Sequence, residues 1–179
     1  MKQHILVIDD EPDIRETVRD ILEDEGYLVS VAENAEDGRR QLRERLPDLV
    51  LLGIWMPDVD GITLLKEWKE VSGGELPSPV VMMSGHGSVE TAVEATRLGA
   101  YDFLEKPLSI PKLLLTVERA VENSQLAWRE VIATAVRHGV PVPAFSSAGA
   151  PSASSIRYSA SAPLRFLIFT RIWLVIVPW

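Results

Sequence analysis

A chain of 179 residues holds one full domain and an appendage, and 46% hydrophobic with 25% charged residues is the profile of a globular protein with a core. The absence of cysteine excludes disulfides, thiolate metal sites and a cysteine nucleophile, while His4, His86 and His138 are too scattered for a zinc cluster. Residues 1–123 carry 13 Lys/Arg against 25 Asp/Glu, a net of −12, so this body is not expected to bind nucleic acid directly.

The opening MKQHILVIDDEPD places acids directly after a short apolar run, so it does not read as a signal peptide and a cytoplasmic protein is expected. Five short apolar runs then alternate with amphipathic stretches. Ile5–Ile8 is the first run, followed by a helix with Ile14, Val18, Ile21 and Leu22 on one face and Pro12 in its first turn. Leu28–Ala32 is the second, followed by a helix near 35–45 that Asn34 can cap. Leu49–Leu52 leads to a third helix marked by Ile62, Leu65, Trp68 and Val71. Val80–Met83 leads to a fourth, marked by Val89, Ala92, Val93 and Thr96 with Ser88 as its expected cap. Asp102–Leu104 leads to a fifth, after Ser109 and Pro111, marked by Leu113, Val117 and Val121. Runs one, three and four are continuously apolar, as strands covered on both faces must be. The alternation predicts an α/β fold, a doubly wound five-stranded parallel sheet of flavodoxin-like form, over residues 1–123.

In such sheets ligands meet the carboxyl ends of the strands. Asp9, Asp10 and Glu11 follow the first run, Gly53 to Pro57 the third, Ser84 ends the fourth and Lys106 follows the fifth. Crowded carboxylates call for a hard cation such as Mg²⁺. A hydroxyl and a lysine across the crevice suit the oxygens of a phosphoryl group.

The segments VIDDEPDIRE, PDLVLLGIWMPDVDG, VVMMSGHGSVETAVEA and GAYDFLEKP together resemble the receiver domain of two-component response regulators, most closely the nitrogen-regulation (NtrC/NtrX-like) type. The resemblance implies a five-stranded (βα)5 receiver with Asp9, Asp10 and the Trp55 backbone carbonyl as Mg²⁺ ligands, Asp10 the most direct. It makes Ser84 the switch hydroxyl, Phe103 the aromatic switch and Lys106 the phosphoryl contact, with a cis Lys106–Pro107 bond. Its phosphoacceptor aspartate falls at Gly53, which has no side chain, so phosphotransfer is expected to be lost and Mg²⁺ binding weakened. Asp58 and Asp60, in the loop beyond, do not replace it. The expected partners are a histidine kinase and a receiver or output domain docking on the fourth helix, fifth strand and fifth helix; no enzyme activity is expected. An alternative is a flavodoxin-like small-ligand binder, but its phosphate cradle would be rich in Ser, Thr and Gly, not Asp-Asp-Glu-Pro-Asp. An Asp9-nucleophile phosphohydrolase has no further motif in its favour.

Residues 124–140 read as a helical extension or linker, with the fifth helix continuing through Asn123–Val136. In 141–163, 17 of 23 residues are Ala, Ser or Pro, a disordered linker by composition. The apolar 164–179 segment contains Arg165 and Arg171 and is shorter than the ~20 residues of a spanning helix, so membrane association is not expected. No ATPase GxxxxGK[ST] loop occurs in the 179 residues. The tail resembles no output domain and reads instead as the product of a shifted or truncated frame.

Overall fold

The computed structural model describes residues 2–85 and 89–137, with side chains as far as Leu126. The expectations for His86, for Ser88 as a cap and for residues 138–179 lie outside the described residues.

Five strands and five helices alternate: β1 (His4–Ile8), α1 (Pro12–Asp24), β2 (Leu28–Ala32), α2 (Ala35–Glu44), β3 (Leu49–Gly53), α3 (Gly61–Val71), β4 (Val80–Ser84), α4 (Val89–Leu98), β5 (Asp102–Glu105) and α5 (Ile110–Arg137). The strands form one parallel sheet in the order β2-β1-β3-β4-β5. Every residue of the three inner strands is buried, which is why those segments read as unbroken apolar runs. The outer strands β2 and β5 are partly exposed, and β5 carries acids at both ends, Asp102 and Glu105.

Because side chains alternate along a strand, each inner strand feeds two cores. Leu6, Ile8, Val50, Leu52 and Met82 pack beneath α2, α3 and α4 with Leu42, Leu64, Leu65 and Ala95. Ile5, Val7, Leu49, Leu51, Val81 and Met83 pack beneath α1 and α5 with Val18, Leu22, Leu113, Val117 and Val121. Helix starts follow local chemistry. Pro12 opens α1, the Asn34 side chain accepts the Asp37 amide at 2.9 Å, and Asp60 accepts the Thr63 amide at 2.9 Å. Helix α5 continues through residue 123 as one 28-residue element. Among the described residues no helix is long and apolar enough to cross a membrane.

Helix α3 starts unusually close to the end of β3. The Gly61 amide donates to the Ile54 carbonyl at 2.7 Å, and a Cβ on residue 61 would run into the carbonyl oxygen of Gly53. Only glycine allows this approach, and the obstacle is backbone, which cannot swing aside. Gly61→Ala is therefore expected to destabilise the domain by roughly 1–3 kcal/mol, as overpacking does. Gly85→Ala, whose added carbon would meet nothing within 4 Å, is expected to change stability by less than ~0.5 kcal/mol. Urea midpoints of the two variants against the parent check both.

Candidate functional site

Parallel pairing brings the carboxyl ends of β1, β3, β4 and β5 to one edge. In the register, Gly53 is opposite Met83 and Ser84 is opposite Glu105. The Lys106 amide donates to the Ser84 carbonyl at 2.7 Å, which sets Lys106 beside the buried Ser84, and the Lys106–Pro107 bond is cis.

Asp9 is fully buried at the centre of this edge. Its amide donates to the Ala32 carbonyl at 3.1 Å, and the Arg15 guanidinium donates to its carbonyl at 2.6 Å. Its Oδ1 accepts from the Glu11 amide at 3.1 Å and from Lys106 Nζ at 3.0 Å. Lys106 Nζ also lies 2.7 Å from Asp9 Oδ2, an ionic contact whose direction makes no hydrogen bond, so Oδ2 is buried without one. The same ammonium donates to Glu11 Oε1 at 2.7 Å. Burial pushes the Asp9 carboxyl above its ordinary range, with the Lys106 contacts pulling against it. Desolvation alone would lower the Lys106 pKa, but hydrogen bonds and charge from Asp9 and Glu11 outweigh it and raise it. The lysine stays protonated.

Gly53 lies directly against the Asp9 carboxylate. A Cβ on residue 53 would lie 2.7 Å from Asp9 Oδ2, 3.1 Å from Asp9 Cγ and 3.2 Å from the Ile8 carbonyl oxygen. The Asp9 carboxylate thus fills the room that a side chain at position 53 would take. Above it opens a cleft of about 530 Å³ lined by Asp10, Glu11, Trp55, Ser84, Lys106 and Pro107, among others. Trp55 is 64% exposed at its mouth. Carboxylate oxygens of Asp9, Asp10 and Glu11 lie within 4.8 Å of one another, a set of hard donors of the kind a small divalent cation takes.

Asp9, Asp10, Trp55, Ser84 and Lys106 are therefore brought to one edge. Lys106 pairs with Asp9 and also with Glu11, which follows the chain as it turns into α1. Phe103 is half-buried against the core beneath α2, α3 and α4 and is not among the residues that line the cleft. For Asp58, which the sequence places only in the loop beyond Gly53, the structure adds a contact that sequence reasoning missed. Its carboxylate reaches across the fold to the first two amides of α2, Ala35 at 3.2 Å and Glu36 at 3.1 Å, and so ties the loop after β3 to a helix 22 residues away. No local pattern announces such a contact. Desolvation, its largest single influence, pushes the Asp58 carboxyl upward, but the amides of Val59, Ala35 and Glu36 together hold it below the ordinary range.

The profile of the response regulator receiver domain family matches residues 5–118. The chain is 46% identical over 134 residues to the nitrogen assimilation regulatory protein NtrX of Azorhizobium caulinodans, matching 73% of this chain and 28% of that protein. The chain thus spans under a third of the length of that curated relative. It also resembles the crystal structure of the receiver domain of NtrX from Brucella abortus, with 48% identity, a TM-score of 0.61, and coverage of 66% of this chain and 98% of that one. The solution structure of the beryllofluoride-activated NtrC4 receiver domain dimer is 40% identical with a TM-score of 0.62, covering 68% and 98%.

Asp58→Asn keeps the shape of the loop and removes the charge that faces the α2 amides. A carboxylate whose folded pKa is depressed stabilises the fold above its unfolded pKa, near 3.9, and loses that contribution as pH falls through the folded value. The variant is expected to be less stable than the parent by about 1 kcal/mol or less at pH 7, as exposed helix-start contacts are. The two proteins should converge below about pH 4. Thermal melts across that range check it.

Proposed function

The chain belongs to the response regulator receiver family, and we propose that it is a two-component signalling module that takes up no phosphoryl group and acts through phosphorylation-independent protein contacts. The observation that carries this reading is Gly53. It stands at the end of β3, where the family resemblance expects the acceptor aspartate, and the Asp9 carboxylate fills the place of the missing side chain. Asp9 itself is fully buried and ion-paired with Lys106, so it is a poor nucleophile. Asp58 and Asp60 are no substitutes, since their carboxylates are occupied by the amides of Ala35 and Glu36 and by Thr63.

Asp10, with Asp9 and the Trp55 carbonyl, would hold Mg²⁺, and weakly, because one carboxylate of the usual set is absent. When bound, the cation would stabilise negative charge on a phosphoryl group. Of the protein groups, Lys106 neutralises Asp9 and Ser84 lines the cleft floor. Phe103 is proposed as the aromatic switch position, reading the cleft through β5 and the core. The kinase of a two-component system is the expected upstream partner. A receiver or output domain would dock on the α4-β5-α5 face, where Val89, Val93, Tyr101, Ile110 and Leu115 are exposed. No direct nucleic-acid contact and no enzymatic turnover are proposed, and the location is cytoplasmic. The flavodoxin-like alternative is not favoured: the loop after β1 offers three carboxylates to a phosphate, not backbone amides.

Acetyl phosphate with Mg²⁺ is expected to leave the unmodified chain unphosphorylated, while Gly53→Asp takes up one phosphoryl group in a Mg²⁺-dependent way, read by intact mass. The added carboxylate must push Asp9 aside and crowds three others, so Gly53→Asp should melt below the parent without Mg²⁺ and recover with it. Phosphate mapped to any aspartate of the parent would overturn the reading. So would a folded, Mg²⁺-binding Gly53→Asp protein that stays unphosphorylated.

A further inference from the structure

We infer that His4 is an acid-sensitive latch at the amino-terminal end of the sheet, joining β1 to β2 and to the turn before β3 only while its ring is uncharged. The residue is 4% exposed and stands on the face of β1 that also carries Leu6 and Ile8. Its Nε2 lies 2.9 Å from Ser30 Oγ of β2, and its Nδ1 is buried with no hydrogen-bond partner. The His4 backbone is clasped by a single residue. Its amide donates to Asp48 Oδ2 at 2.7 Å, and its carbonyl accepts the Asp48 amide at 2.7 Å. That clasp fixes where the ring enters the core.

In either neutral tautomer one ring nitrogen meets Ser30 and the other is unpaired. Protonation turns the unpaired nitrogen into an N–H donor on a cation, and a buried cationic donor without an acceptor costs far more than a buried lone pair. Two charged groups face the ring, both from the turn between α2 and β3: Arg45 opposes protonation and Asp48 favours it. The neighbouring strands β2 and β3 hold no titratable residue. Burial, the largest influence, acts with Arg45 against Asp48 and holds the imidazole below its ordinary range. The unfolded chain therefore binds a proton that the folded chain does not. The stability owed to the neutral ring is complete above the unfolded pKa of about 6.5. It is lost as pH falls from there toward the folded value, by up to about tenfold in the unfolding constant per pH unit. The latch sits at the end of β1 opposite the candidate cleft, so it stands independently of the reading given to that cleft.

The test compares urea midpoints of the full chain and of His4→Gln at about pH 7.5 and about pH 5.5, and follows the His4 ring by NMR titration. Glutamine keeps a polar group for Ser30 but takes up no proton. Asp9, whose carboxyl burial pushes upward, titrates in both proteins alike, so the difference between them isolates His4. On acidification the parent is expected to lose about three- to tenfold more in its folding constant than His4→Gln. The ring should titrate below about pH 6.5, lower still in Asp48→Asn and higher in Arg45→Gln. Equal acid losses in the parent and His4→Gln would overturn the inference. So would a ring that titrates at or above about pH 6.5, or one that shifts the same way in both neighbour variants. If His4→Gln does not fold, the ring titrations of the parent and of Arg45→Gln decide alone.

Discussion

A carboxylate with no exposure to water needs positive charge beside it, and in this protein the whole carboxyl edge of the sheet is arranged around meeting that need for Asp9. Lys106 comes from the far side of the chain, 97 residues later, and its ammonium is held by Asp9 and Glu11 together. Arg15 adds a second cation at the Asp9 carbonyl from the first turns of α1. Ion pairs in such places contribute little net stability once desolvation is counted, yet losing one partner is expensive because the other remains buried. The pair therefore specifies which groups must meet at this edge more than it strengthens the fold.

The architecture supplies the meeting point. Three inner strands, buried from end to end, hold β1, β3 and β4 at fixed register, so the residues just past each strand have little freedom in where they emerge. Two backbone contacts tighten the edge: Lys106 to Ser84, and Gly61 to Ile54. Asp58 adds a longer tie by holding the loop after β3 against the start of α2. Each tie uses hydrogen-bonding groups that would otherwise be unsatisfied at an element's end, so positioning the cleft and completing the helices are the same interactions.

At this edge one ammonium meets several acids: Lys106 pairs with Asp9 and Glu11, while the carboxylates of Asp9, Asp10 and Glu11 all lie within 4.8 Å of one another. Away from the buried strands, Val89 and Val93 on α4 and Ile110 and Leu115 on α5 leave apolar surface exposed.

The sequence alone determined the elements, the sheet and the address of the site. Continuous apolar runs mark strands covered on both faces, the 3.6-residue spacing of Ile14, Val18 and Leu22 marks a helix face, and Asn34 announces a cap that forms. Asp9, Asp10, Ser84 and Lys106 were legible as a group because parallel strands of similar length must end at one edge. What only the tertiary structure decided are relations between segments distant in the chain. That Lys106 takes Glu11 and not Asp10, and that Asp58 reaches the first amides of α2 as well as its own loop, depends on side-chain reach across a packed edge. The same holds for the Asp9 carboxylate lying where a Cβ at position 53 would come within 2.7 Å of it. A sequence records which side chain is missing; where a neighbour's carboxylate goes in its absence is settled by packing and by the nearest buried cation.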